Sequence, residues 1–393
     1  MANNGELWLI SAPGEQTCQE TWDRLNKSVN TLSTNHKFAI PDLKVGTLDQ
    51  LVGLSDDLAK VDAYAESITR KLVQYFFEVL DGQRDKLYES LKIGGRDVDM
   101  LQYVTRFQWE TAKYPVRQSL RTITDIISKQ VTQIDGDLRH KATAYNALKN
   151  AIVSLERKTT GSLLTRDLSD VVKEDDFVLN SEYLTTLLVI VPKILARDWQ
   201  AKYESLASMV VPKSSRLVHE DQESCLFTVT LFKKVIDEYK LHCRENRFVV
   251  RDFTYDPESL RAGKNERDKL QAEQQRQFGP LVRWLKINFG ELFTAWVHVK
   301  ALRIFVESVL RYGLPVNFQA AVLQPSKGTQ KKLRAELNRL YRHLDSGSMG
   351  GPLESTDDVA STLHSLGGGM SADYYPYVFF AMDIDLVSDK RQR

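Results

Sequence analysis

FGPLVRWLKINFGELFTAWVHVKALRIFVESVLRYGLPVNFQA (residues 278–320) decides the fold, because it is dense in aromatic and branched apolar groups yet carries a charge every few positions. Leu281, Trp284, Leu285, Leu292, Phe293, Trp296, Leu302, Phe305, Val306, Val309 and Leu310 recur at spacings of mainly three, four and seven, which stripes one broad helical face. Arg283, Lys286, Glu291, Lys300, Arg303, Glu307 and Arg311 interrupt the run well short of the ~18 uncharged residues a membrane span needs. The stretch therefore reads as a packed helix, opened by Gly279 and Pro280 and closed by Gly313 and Pro315.

Working outward, a second helical pattern runs from 115 to 158, where Ile127, Val131, Ile134, Leu138, Ala142, Tyr145, Leu148, Ile152 and Leu155 follow a narrow, near-heptad seam. Roughly forty residues at ~1.5 Å each make a rod on the order of 60 Å, too long for a compact domain of this chain, so the molecule is expected to be elongated. Residues 257–278 are charged nearly all round, as in a solvent-bridging helix, and are the expected antiparallel partner of that rod. Gly136 is its expected soft point. Between the rods, strand-like 177–179, 183–191, 227–231 and 248–253 alternate with helical 198–209 and 233–245, which predicts an inserted α/β or α+β domain. Near the ends, 7–10 reads as an edge strand and 374–384 is also rich in β-formers, so the termini are expected to share one sheet. Helices are expected at 48–77 and 83–91, with Gly82 as the break and Gly94-Gly95 as a turn. Two domains at opposite ends of a helical rod is the resulting architecture.

Composition narrows the function. With 393 residues, 42% of them hydrophobic, the chain can bury a sizeable core. Its net charge of +1 argues against nucleic acid as a wholesale electrostatic partner. Cys18, Cys225 and Cys243 are few and far apart, as free thiols in a reducing cytosol would be. The start of the chain shows no basic and apolar signal-peptide pattern. No phosphate-cradling, dinucleotide, zinc-protease or nucleophile-elbow motif occurs. Lys327-Gly328-Thr329 lacks the upstream glycine and the strand of a phosphate loop, and the glycines of 346–371 read as a flexible insertion. His219-Glu220-Asp221 and His242-Cys243 lack further ligands at metal spacing, and Glu174, Asp175 and Asp176 read as a solvated acidic turn. Catalysis, a bound cofactor and a bound metal are not expected.

The wording of several blocks is more specific than their periodicity. LWLISAPG (7–14), FAIPDLKVGTLDQLVGLSDDLAK (38–60), RFQWETAKYP (106–115), GSLLTRDLSDVVKEDDFVLNSEYLTTLLVIVPK (161–193), MVVPKSS (209–215) and YYPYVFF (374–380) span nearly the whole chain. Together with 278–320 they closely resemble the C-subunit family of vacuolar-type proton-translocating ATPases. The sequence departs from that family mainly at 346–371, and around 15–37 and 194–198. The resemblance implies a predominantly helical, elongated α+β protein. A discontinuous foot (1–114 and 281–393) is joined by a long antiparallel neck (115–158 and 257–280) to an inserted α/β-type head (159–256).

It also implies a non-catalytic stator subunit of the cytosolic sector. The expected partners are two heterodimers of subunits E and G and the N-terminal domain of membrane subunit a, with actin as a further family partner. The expected location is cytoplasmic, on the cytosolic face of acidified endomembranes. Partner anchors are sought at Phe177, Leu179 and Tyr183 in the head and at Tyr374, Tyr375 and Tyr377 in the foot, since aromatic groups dominate interface energies. The one basic cluster, Lys327, Lys331, Lys332, Arg334, Arg339 and Arg342, fits an acidic protein, an actin filament or anionic lipid. The rod and basic helix also fit a free-standing actin- or membrane-associated scaffold.

Overall fold

A computed structural model describes residues 5–94, 98–344 and 375–387; the Gly/Ser-rich stretch 346–371 and Tyr374 lie outside them. In chain order the elements are β1 (Glu6–Pro13), α1 (Cys18–Val29), β2 (Ser33–Lys37), α2 (Leu48–Val79), α3 (Arg84–Ser90), α4 (Met100–Thr105) and α5 (Leu120–Thr160). They continue with β3 (Leu184–Pro192), α6 (Ala196–Lys202), β4 (Arg216–Glu220), β5 (Ser224–Phe232), α7 (Ile236–Glu245), β6 (Val249–Arg251), α8 (Pro257–Tyr312), β7 (Phe318–Pro325), α9 (Gln330–Leu340) and β8 (Val378–Asp383). The chain divides into two compact units, residues 1–141 with 280–393 and residues 142–279, and both α5 and α8 run from one into the other.

In the first unit an antiparallel sheet has the order β2-β7-β1-β8. The two ends of the chain do pair, Glu6 opposite Asp383 and Trp8 opposite Ala381. The expectation that 7–10 forms an edge strand is corrected: β1 also pairs with β7, Trp8 opposite Leu323. A strand buried on both faces, as β1 is, needs neighbours on both sides to satisfy its backbone. Trp8, Ile10 and Ala12 pack beneath α1 and α9 against Leu25, Val29, Leu333 and Leu337. On the opposite face Ser11 Oγ bonds to Ser308 Oγ of α8, and the Tyr312 hydroxyl donates to the Ser11 carbonyl at 2.8 Å.

Cross-helix bonds give the helix directions. Asp57 meets Arg121 and Lys71 meets Asp135, so α2 and α5 run parallel. Ser55 donates to Glu307 and Trp296 to Asp62, while Gln130 donates to Glu291 and Lys141 lies over Trp284, so α8 is antiparallel to both. This enclosure corrects the single-face reading of α8. Thr294, His298, Lys300 and Ser308 are as buried as Phe293 and Phe305, because the sheet, α2, α5 and the 106–115 segment surround that part of the helix.

A second correction concerns Gly279 and Pro280, which lie inside α8 and do not open a helix. Proline gives up the bond to the Arg276 carbonyl and its ring crowds that oxygen, but both Arg276 and Pro280 are exposed, so the carbonyl can turn outward to water. The seam read in α5 is realised: Ile127, Val131, Ile134, Leu138, Tyr145 and Ile152 are buried. Its first residue is Leu120, not Pro115, because Ser119 Oγ accepts from the Thr122 amide at 3.2 Å in the manner of an N-cap.

The second unit carries the sheet β4-β5-β3-β6, in which every pairing is antiparallel, so this unit is α+β and not α/β. One face holds Trp199, Tyr239 and Cys243 from α6 and α7 against Val189, Phe227 and Val229. The other holds Leu163, Leu168 and Val172 against Leu188, Ile190 and Leu226. The strand expected at 177–179 is absent. Those residues leave a short 3-10 turn, Glu174–Asp176, where the Asp176 carboxylate accepts from the Lys173 amide at 2.9 Å and so satisfies the backbone locally. Among the described residues no helix is long and apolar enough to cross a membrane.

Candidate functional site

The three residues sought as anchors in the inserted unit have different fates. Tyr183 is the most open at 64% exposure, and Leu179 is partly exposed. Phe177 is turned inward, its ring 5.2 Å from Tyr255 and 5.8 Å from Phe253, where it steadies the segment. The fold adds three exposed apolar neighbours that sequence reasoning missed: Val178, Met209 and Phe232. The Lys233 amide donates to the Tyr183 carbonyl at 2.8 Å and the Phe232 amide to the Met209 carbonyl at 3.1 Å. Leu184 stands opposite Phe232, and Lys233 Nζ donates to the Ser181 carbonyl at 2.7 Å. Tyr183, Met209 and Phe232 are thus fixed together at one end of the sheet. The available signal was Phe232, the last apolar group of the β5 run.

The basic cluster is partly dismantled by the fold. Arg334 is stacked inward, its guanidinium 4.5 Å from the Trp8 ring, 4.3 Å from Tyr375 and 4.5 Å from Phe379. Arg339 is paired with Glu336 one turn earlier on α9. Lys327, Lys331, Lys332 and Arg342 remain exposed. Leu333, Leu337 and Leu340 are buried, so the apolar face of α9 belongs to the core.

Of the C-terminal tyrosines within the described residues, Tyr377 belongs to this core and Tyr375 packs half-buried against it. Tyr377 is fully buried, stacked on Tyr375 at 5.7 Å and tilted against Tyr341 at 5.6 Å. Desolvation pushes its hydroxyl up to about 12. The Tyr377 and Tyr341 hydroxyls and Arg334 Nη1 are buried without a hydrogen-bond partner. Beside them a cleft of about 380 Å³ is lined by Glu307, Arg311, Tyr375, Tyr377, Val378, Phe379 and Phe380.

The polar residues that converge do so to hold helices together. Asp62 accepts from Trp296 Nε1 and Lys300 Nζ, both at 2.9 Å, and from Arg303. Asp135 binds Lys71 and Arg139, and Tyr64 donates to it at 3.2 Å. His298 lies within Phe107, Trp109 and Tyr114; its Nδ1–H donates to the Thr294 carbonyl at 2.7 Å while Nε2 accepts from the Glu110 amide at 3.0 Å. With no proton on Nε2 the ring is neutral, and desolvation lowers its pKa to about 4. The RFQWETAKYP block thus clamps α8. Among the described residues, no group of three or more His, Cys, Asp or Glu side chains could hold a metal ion.

The described residues thus form two separately cored units, joined through α5 and α8, in which the polar clusters serve packing. The family model for the C subunit of V-ATPase matches residues 7–378. A relative from Caenorhabditis elegans, the C subunit of a V-type proton ATPase, is 62% identical over 387 residues, covering 98% of this chain and 99% of the relative. For the C subunit of the Manduca sexta enzyme the identity is 60% over 384 residues, covering 97% and 98%. A C 1-A subunit of a V-type proton ATPase from Danio rerio is 58% identical over 388 residues, covering 98% and 100%. Among solved structures, the cytoplasmic N-terminal domain of subunit I, a homolog of subunit a of V-ATPase, aligns over 85% of this chain and 98% of that one. Its 13% identity and TM-score of 0.30 are too low to signify a shared fold. The chain belongs to the C-subunit family of V-ATPases, and it is a non-catalytic member of that complex, not an enzyme itself.

Proposed function

We propose that the protein is a stator subunit of a vacuolar-type rotary proton-transporting ATPase. In this reading the inserted unit is a head that grips one E–G heterodimer. The unit built from both ends is a foot that contacts a second E–G heterodimer and the N-terminal domain of membrane subunit a. The helices α5 and α8 supply the neck, and actin is a further partner of the foot. The observation that carries the reading is the match of family and relatives over essentially the whole chain. The physical rationale is torque. A rotary motor turns a central shaft, and a brace fixed at two ends keeps the catalytic ring from turning with it.

Tethering accounts for reversible assembly. Once one end is bound, the other sees an effective concentration of ~mM, which adds up to ~10²- to 10⁴-fold in avidity without new contacts. Weakening one end forfeits that gain and releases the protein. It would act on the cytosolic face of endomembranes, where the assembled complex acidifies the lumen.

Titration calorimetry of the full chain against a purified E–G heterodimer, and separately against the subunit a N-terminal domain, tests the bridging. Readdition to membranes stripped of this protein, followed by ATP-driven proton uptake, tests its consequence. Saturable binding to both partners with restored uptake is expected. Absence of both binding events and of restoration would overturn the stator reading.

A further inference from the structure

With Arg334 stacked on aromatic rings, Arg339 bound to Glu336 and Arg342 exposed beyond the far end of α9, the exposed positive charge at the start of that helix is that of Lys327, Lys331 and Lys332. The fold brings a fourth lysine to the same end. The Leu32 carbonyl accepts from the Ser326 amide at 2.9 Å and from Thr329 Oγ1 at 2.7 Å, which ties the chain leaving α1 to the turn that starts α9. Lys27 stands in the last turn of α1, exposed and five residues before Leu32. Three carboxylates lie nearby: Glu6 accepts from Gln330 Nε2 at 2.8 Å and from Trp8 Nε1 at 3.2 Å, Asp23, one turn before Lys27, accepts from Gln19 Nε2 at 2.8 Å, and Glu336, one turn after Lys332, is bound by Arg339. None of the four lysines pairs with a carboxylate among the described residues.

The surroundings discriminate between kinds of anionic partner. Protein interfaces are anchored by apolar or aromatic hot spots at their centre. Among the described residues, no exposed large apolar side chain falls in 5–47, 315–344 or 375–387. Lysine is a compact, hydrated point charge without the bidentate fork that reads a particular carboxylate. A cluster of lysines on a surface without apolar anchors suits a diffuse sheet of negative charge, such as the headgroup layer of an anionic bilayer. Insertion is excluded because Leu333, Leu337 and Leu340 of α9 are committed to the core.

We propose that Lys27, Lys327, Lys331 and Lys332 form an adsorption surface for anionic lipid headgroups, apart from the surfaces that grip other subunits. The surface would hold the foot against the membrane by charge alone and would strengthen as the acidic lipid content rises. Each lysine contributes about five-fold to the partition coefficient.

The test is cosedimentation of the full chain with phosphatidylcholine vesicles, with and without about 30% phosphatidylserine, at ~0.1 M salt. Binding to the acidic vesicles alone is expected, lost as salt rises toward ~0.5 M. The triple variant Lys327→Glu, Lys331→Glu, Lys332→Glu should lower the partition at least about 100-fold. The matching Lys→Arg triple should retain it, and thermal melts of both confirm the fold. Equal pelleting with neutral and acidic vesicles, or binding unchanged in the glutamate triple, would overturn the proposal. So would absence of vesicle binding combined with lysine-dependent retention on immobilised polyglutamate, an outcome that would assign the surface to an acidic protein.

Discussion

Single buried polar residues tie the helices of the first unit together. Asp62 is 3% exposed and holds Lys300, itself 4% exposed, so Asp62→Asn leaves a buried ammonium without its counter-charge. The expected cost is about 3 to 5 kcal/mol, read from urea denaturation of that unit. His298 gives a pH signature. Its folded pKa of about 4 lies below the ordinary value of 6.5, so the unfolded chain binds the extra proton between those limits. Stability from this residue is therefore complete above pH 6.5 and declines as pH falls toward 4, by on the order of 3 kcal/mol in total. In His298→Gln that segment of the stability–pH curve should flatten; an unchanged slope would assign it to other groups. Neither role was legible in the sequence. Lys300 and His298 sit among apolar neighbours in a helix, and the Asp62 carboxylate that neutralises the first and the Glu110 amide that fixes the second lie 238 and 188 positions away.

At the scale of elements, α5 and α8 both tolerate glycine where they are open. A Cβ at Gly136 would meet nothing within 4 Å, so Gly136→Ala should stabilise α5 by about 1 kcal/mol; Gly279 is as open, but it precedes Pro280, whose ring disfavours a Cβ on a helical neighbour, so Gly279→Ala should gain less. At Gly290 a Cβ would stand 3.4 Å from the Lys92 carbonyl and 3.7 Å from the Gly94 amide. These are ordinary van der Waals contacts, so Gly290→Ala should keep a gain like that of Gly136→Ala. Matched denaturation curves for the three variants check the distinction, and a loss in Gly136→Ala would mean that α5 needs its flexibility. The seam of α5 was legible because its buried positions keep helical spacing along one face. β2 and β4 were not: Ser-Thr-Asn-His-Lys and Arg-Leu-Val-His-Glu lack a clear apolar alternation and become strands beside β7 and β5.

At the scale of the whole molecule, bridging makes a quantitative demand. If head and foot engage one complex, disabling either should lower apparent affinity for the assembled ATPase by about 10²- to 10⁴-fold, far more than the loss at one isolated contact. Tyr183→Asp with Phe232→Asp, measured by dissociation from assembled complexes, would show this if the exposed apolar end of the head sheet is the grip; unchanged dissociation would remove that surface from the proposal. The sequence by itself determined the long helices, the pairing of the two ends and the membership of the family, because period, β-propensity and block wording are local properties of a chain. Only the tertiary structure decided that α8 continues through Gly279 and Pro280, that β1 is central, and that Arg334 leaves the basic surface for a bed of aromatic rings. It also gathered Tyr183, Met209 and Phe232 at one sheet end. The physical reason is common to these cases: burial and backbone pairing are supplied by residues remote in sequence, and together they outweigh the preference of any short segment read alone.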